Sequence, residues 1–295
     1  MVAKFDPALF PFEPHFFDRG AGVRMHYVDE GAGPPVVCVH GNPTWSFYYR
    51  NVIQALRADH RVIAPDHVGM GLSDKPDDAH YAYTLQARVD DFTHFIASLG
   101  LTEPLTLVVH DWGGMIGFAW AVQHPEQVKK LVVLNTGAFP LPDDKEFPWQ
   151  LALARTPLGA LLVRGMNAFS WTSTHLSMTQ TRMPDDVRQA YTAPYDSWVN
   201  RIATLRFVQD IPLQPGVPGY DVVKRTAEAL GNLAHVPMLI GWGSKDFVFD
   251  DAFLRVWQRH FPNATLQYYP QAGHYVLEDA AADLVPRIAA FVRAE

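Results

Sequence analysis

Cysteine is almost absent from this chain of 295 residues: Cys38 stands alone. A lone thiol excludes an internal disulfide and any cluster of thiolates around a metal. Set in the apolar string VVCVH, it reads as a small buried hydrophobe. Basic charge is also short, with 24 Lys and Arg against 31 Asp and Glu and a formal net charge of −7. That balance argues against nucleic acid or an anionic membrane surface as partner. No block of like charges stands out. No apolar run reaches the roughly 18 residues of a spanning helix, so no stable membrane insertion is expected. The opening string MVAKFDPALFPFEPHFF has Pro and acidic residues where a signal peptide needs an unbroken apolar stretch. Repeats and low-complexity linkers are missing too. What remains, 48% hydrophobic and 19% charged residues, is ordinary for a globular protein with a sizeable core. A cytoplasmic location is expected.

From PPVVCVH at 34–40 onward, apolar strands alternate with amphipathic helical patterns. HFFDR and VRMHYVDEG precede that point; HRVIAPD, LTLVVHD, KLVVLN, VPMLIGWG and TLQYYP follow it. Helices are predicted to begin near Trp45, Thr84, Trp112, Phe253 and Ala281. Near-continuous apolar strands separated by helices predict a mostly parallel eight-stranded α/β sheet covered on both faces. The rhythm breaks over 139–217, a helical stretch rich in Trp, Phe, Met and Pro with no strand-like run. It reads as an inserted helical cap, with 1–138 and 218–295 forming the core. Ligands in such sheets bind beyond the carboxyl ends of the strands. His40, Asp66, Asp111, Asn135 and Asp246 fall at those ends, so a common cleft beneath the cap is expected.

The string VVHDWGGMIGFAWA at 108–121 carries the chemistry. It reads as a buried strand, a sharp turn and a helix, with Asp111 at the tip, which is the setting of a nucleophile elbow. An Asp before a helix can also be a simple N-cap. As a nucleophile, its carboxylate attacking carbon would make an ester of the enzyme itself. Of thirteen histidines, His274 in QAGHYVLED follows the last strand, as expected from the α/β-hydrolase chain order of nucleophile, acid and His. His40 and His110 flank apolar strands and read as structural. Asp246, just past a buried strand, suits the acid that orients the imidazole. Asp250 and Asp251 read as the cap of the next helix, and Asn135 after the sixth strand cannot supply charge. HGNPTW at 40–45 offers a backbone N–H for an oxyanion hole, the second coming from Trp112. The Asn42 amide and the Trp112 indole are further donors for an anion formed during reaction. GMGLS at 69–73 lacks the Lys and spacing of a phosphate loop. No metal-ligand spacing converges, and no cofactor is needed because every reacting group is a side chain.

Taken together, HGNPTWSFYYR, PDHVGMGLSDKP (65–76), VVHDWGG and the late Gly-His pair resemble the haloalkane dehalogenases of the α/β-hydrolase fold, over nearly the whole chain outside the cap. The resemblance implies that Asp111 displaces halide from an alkyl halide. Water activated by His274 and Asp246 then hydrolyses the ester, while Asn42 and Trp112 grip the halide. The pairing of Asn135 with Asp246, alongside Asn42, is similar to the third subgroup of that family. It is equally similar to the bacterial β-lactone decarboxylases of long-chain olefin synthesis, which share the Asp, the Asn/Trp pair and the His. Dehalogenation is the leading expectation and lactone decarboxylation the alternative. Either way the substrate is a small apolar organic molecule, and a homo-oligomer or a pathway-enzyme partner stays open. The cap aromatics Phe147, Trp149, Phe169, Trp171, Trp198 and Phe207 suit both readings. An epoxide hydrolase would need two cap tyrosines, for which Tyr191, Tyr195 and Tyr220 are available.

Overall fold

The computed structural model describes residues 5–294. Residues 1–4, where the string read against a signal peptide begins, and residue 295 at the end of the assigned core lie outside the described residues. The strands are β1 (His15–Gly20), β2 (Val23–Glu30), β3 (Pro35–Val39), β4 (Arg61–Pro65), β5 (Leu105–Asp111), β6 (Val128–Thr136), β7 (Met238–Gly243) and β8 (Thr265–Tyr269). They form one sheet in the order β1-β2-β4-β3-β5-β6-β7-β8. β2 pairs antiparallel with β1 and β4. Every other pairing is parallel.

Helices α1 (Arg50–Leu56), α2 (Leu85–Ser98) and α3 (Trp112–Ala121) lie between the early strands. Between β6 and β7 come α4 (Trp149–Ala154), α5 (Pro157–Met166), α6 (Ala168–Leu176), α7 (Asp185–Thr192), α8 (Ile202–Gln209) and α9 (Tyr220–Ala229). The chain finishes with α10 (Asp251–His260), α11 (Val276–Asp279) and α12 (Ala281–Arg293).

Alternate residues of a strand face opposite sides, and both sides are dry here. Val37, Val39, Leu107, Val109 and Val133 join one core with α2, α3, α9 and α10. Val36, Cys38, Val108, Val132 and Leu134 join another with α1, α11 and α12. This explains why the strands read as unbroken apolar runs. A third, smaller cluster of Leu151, Ala154, Val163, Leu205 and Val208 binds α4, α5 and α8 to one another. Helix starts follow local chemistry. Thr84 accepts from the Ala87 N–H at 3.2 Å to cap α2, and Asp250 accepts from the Ala252 N–H at 2.9 Å to cap α10. The sequence reading passed over α9, whose buried side is only Val222, Val223 and Thr226.

Candidate active site

β5 ends at Asp111 and α3 starts at Trp112, so the turn between them has no spare residue. Asp111 takes φ 53° and ψ −126°, a conformation that costs a non-glycine residue about 1–3 kcal/mol. Tight packing holds it there. A Cβ on Gly41 would land on the Asp111 carboxylate, and one on Gly113 would strike the Val39 carbonyl. The Thr136 hydroxyl donates to the Asp111 carbonyl oxygen. Opposite the turn, the β5–β6 register slips: His110 pairs with Leu134 but Asp111 with Thr136. Asn135 is the bulged residue, with φ 32°.

Two backbone amides meet the Asp111 carboxylate. The Asn42 N–H donates to Oδ1 at 2.5 Å, and the Trp112 N–H bonds the same group. These are the two amides expected to form an oxyanion hole, and here both bond the Asp111 carboxylate itself. Oδ2 lies 3.7 Å from His274 Nε2, beyond hydrogen-bond reach and free of a fixed partner on that side. His274 Nδ1 donates to Asp246 Oδ2 at 2.7 Å. Asp246 Oδ1 accepts from the Val248 N–H at 2.7 Å. The structure therefore brings Asp111, His274 and Asp246 into one line.

Burial pushes Asp111 up to about 6, against the opposing pull of His274 and the two amides. It remains ionised at neutral pH. Burial alone would lower His274, but Asp246 first and then Asp111 outweigh it, and the imidazole stands above its ordinary value.

The carboxylate opens into a cavity of about 400 Å³ lined by Asn42, Trp112 and His274 and otherwise almost wholly by apolar side chains such as Met115, Leu162 and Phe249. The Asn42 Nδ2 group donates to the Thr204 carbonyl at 3.0 Å. A carbonyl can only accept, so the amide orientation is fixed and its second N–H is left for the cavity. Of the cap aromatics, Phe147, Trp149 and Phe169 line the space. Phe207 packs behind Trp112 with ring centroids 5.0 Å apart, and Trp171 and Trp198 face outward.

The common cleft expected for five strand-end residues does not form: only Asp111 of that set lines the cavity. His40 donates from Nδ1 to the Gly41 carbonyl at 2.7 Å and accepts at Nε2 from the His67 N–H at 3.1 Å. Asp66 folds under the GMGLS turn, accepting from His26, Ser46 and Leu72 at 2.7–2.8 Å. Burial would raise its carboxyl, yet His26 and its other donors hold it at about 2. Asp246 stands behind the imidazole. Asn135 stands behind Asp246, donating to Oδ2 at 3.1 Å and also bonding Gly243 and Phe249. None of the three tyrosines that an epoxide reading needs lines the cavity. Tyr191 donates to Glu278 at 2.5 Å, Tyr195 lies buried between Thr44 and Gly71, and Tyr220 opens α9.

His110, read from the sequence as structural, supports the imidazole loop, whereas the supporting roles of Asp279 and Asn135 escaped the sequence reading. His110 Nε2 donates to the His274 carbonyl at 2.9 Å. Asp279 accepts from Gly273, Thr179 and Thr181 at 2.7–2.8 Å and so ties the His274 loop to the segment between α6 and α7. Asn135 steadies the acid. The signal available for Asp279 was its place five residues after the His in QAGHYVLED; Asn135 gave none beyond its strand-end position.

The sheet order, the strained acid at the β5–α3 turn and the acid–imidazole pair behind it define an α/β-hydrolase. The chain belongs to the α/β-hydrolase fold family, whose model matches residues 34–281. Over 96% of its length it is 52% identical to cis-3-alkyl-4-alkyloxetan-2-one decarboxylase of Shewanella oneidensis, spanning 89% of that protein. It is 49% identical to the protein of the same name from Xanthomonas campestris pv. campestris, over 96% of this chain and 97% of that one. Haloalkane dehalogenase 2 of Mycobacterium tuberculosis is 34% identical over 93% of each chain. Among solved structures, a haloalkane dehalogenase loop variant from Bradyrhizobium elkanii superposes with a TM-score of 0.84 at 25% identity, covering 95% of this chain and 96% of that one.

Proposed function

We propose that this enzyme decarboxylates β-lactones carrying alkyl groups at ring carbons 3 and 4, releasing an alkene and carbon dioxide. The observation that carries this reading is the 52% identity, over nearly the full chain, to a protein named for that reaction, against 34% for a dehalogenase. The alternative activity of the sequence reading thus gains over the leading one. The apolar cavity ending at a carboxylate with two neutral donors suits the same substrate.

Asp111 Oδ2 attacks ring carbon 4, and the ring oxygen leaves as a carboxylate. The strained ring supplies much of the driving force. The second Asn42 N–H and the Trp112 indole N–H accommodate the new anion, where a preorganised donor is worth about 10²–10³-fold in rate. Asp111 is now an ester. The bond from carbon 3 to the carboxylate then breaks, its electron pair becomes the carbon 3–carbon 4 double bond, and Asp111 departs with its own oxygen. No water is consumed. His274, held by Asp246, places positive charge beside the departing oxygen. In this reading the helices over 139–217 serve as the cap and 1–138 with 218–295 as the core.

Dehalogenation is kept as a second reading because the His274–Asp246 pair at 2.7 Å is what hydrolysis of an alkyl ester would require. One experiment separates the two. The protein is incubated with a cis-3-alkyl-4-alkyloxetan-2-one and, separately, with bromoalkanes, and alkene and bromide are measured. Alkene formation that Asp111→Asn abolishes supports the proposal. Bromide release without alkene overturns it.

A further inference from the structure

We infer that the outer face of the cap is a docking surface for an anionic lipid bilayer, which seats the mouth of the cavity against the membrane. The inference deepens the lactone reading, because alkyl-bearing lactones and alkenes partition into lipid.

Nine of the twelve large apolar side chains left exposed among the described residues lie between Trp149 and Val199. On α5, Leu158, Leu161 and Met166 fall on one helical face. Trp171 follows on α6, its ring tilted against that of His175 with centroids 4.0 Å apart. Patches of this kind on a folded chain mark partner or membrane contacts.

The tryptophans separate in the same way. Trp45, Trp112, Trp120, Trp242 and Trp257 are buried, whereas the exposed Trp149, Trp171 and Trp198 all belong to the cap. Indole, with an apolar body and one donor, favours the boundary between hydrocarbon and water. Charge points the same way. Residues 147–184 contain no Asp or Glu but carry Arg155, Arg164 and Arg182. Arg164 lies 4.7 Å over the Trp198 ring. The formal charge of −7 is an average that does not describe this face. Over 149–199 Arg155, Arg164, Arg182 and Arg188 outnumber Asp185, Asp186 and Asp196, and cations interleaved with exposed Trp and Leu match an anionic bilayer better than a protein surface. The patch is continuous with the cavity, since Trp149, Leu153 and Leu176 are both exposed and cavity-lining.

The test is cosedimentation with phosphatidylcholine vesicles, with and without phosphatidylglycerol. It uses the full chain, the combined variant Leu161→Ser, Met166→Gln and Trp171→Ser, and Arg182→Glu alone. None of these four residues lines the cavity. The wild-type chain is expected to bind the phosphatidylglycerol vesicles more tightly than the neutral ones, and less so at high salt. The combined variant should lose at least about tenfold in partitioning with unchanged circular dichroism, and Arg182→Glu should weaken only the anionic binding. Failure of the wild-type chain to bind either vesicle overturns the inference, as does equal binding by the combined variant. It is also overturned if the wild-type chain self-associates in lipid-free solution and the combined variant does not, which would make the face a contact between copies. Binding is read without turnover, so these outcomes leave the lactone reading to its own experiment.

Discussion

Asp111→Asn should make the protein more stable as it makes it inactive. Burial lifts the carboxyl from its usual 3.8 to about 6. At about 1.36 kcal/mol per tenfold in proton affinity, keeping it ionised in the folded chain at pH 7 costs about 3 kcal/mol. The Asn side chain carries no such charge. Its oxygen can still accept from the Asn42 and Trp112 amides, and its nitrogen can face His274 Nε2, now 3.7 Å from Oδ2. The sign of the pH dependence follows from the raised value. The folded state binds the proton more tightly than the unfolded one, so the wild-type chain suffers no penalty below pH 3.8. The penalty grows as the pH climbs toward about 6 and is constant above it. The variant's advantage should be about 3 kcal/mol at pH 7 and about half of that at pH 5. Near neutrality this is roughly 5 °C or more in melting temperature. Thermal unfolding of both proteins between pH 4 and 8, beside an alkene assay, measures it. Turnover should fall by at least about 10⁴-fold. A variant that melts below the wild-type protein at pH 7, or an advantage that does not vary with pH, refutes the reasoning.

Asn42→Ala should lower kcat by about 10²–10³-fold through loss of an anion donor. It should also destabilise the fold by about 1–3 kcal/mol, because the Thr204 carbonyl loses its partner; steady-state kinetics and thermal melting separate the two effects. Asp246→Asn should cost most of the activity, and adding Asn135→Asp should recover at least about tenfold, since residue 135 already contacts the Asp246 oxygen that His274 grips. Asn135→Asp alone sets two carboxylates side by side and should lower activity, which kcat measurements on the three variants will show.

The sheet was legible because dry faces on both sides leave an unmistakable apolar rhythm, and the elbow because Asp111 stands between an apolar strand and Gly113-Gly114. The haloalkane-dehalogenase likeness was legible in the same motifs, while the ranking of lactone against alkyl halide was not, because both chemistries ask the same of Asp111, Asn42 and Trp112. His40 and Asp66 were misplaced because the end of a strand fixes position along the sheet but not the direction of a side chain. Asp66 turns down to saturate donors of the 69–73 turn. Asn135 was undervalued because its contact with Asp246 depends on a bulge, a one-residue slip that leaves no mark in the string KLVVLN. The character of residues 147–184 was hidden by the average, since 31 acids elsewhere mask a segment that has none.

The grip of the Asn42 amide on Oδ1 divides the Asp111 carboxylate into a stationary atom and a travelling one. By the proposed decarboxylation the traveller always comes home, so a heavy isotope written into it would persist through round after round of turnover. Hydrolysis of an alkyl ester would instead export that atom with each alcohol and replace it from solvent. The enzyme therefore keeps, in one side chain, a record of which chemistry it has performed.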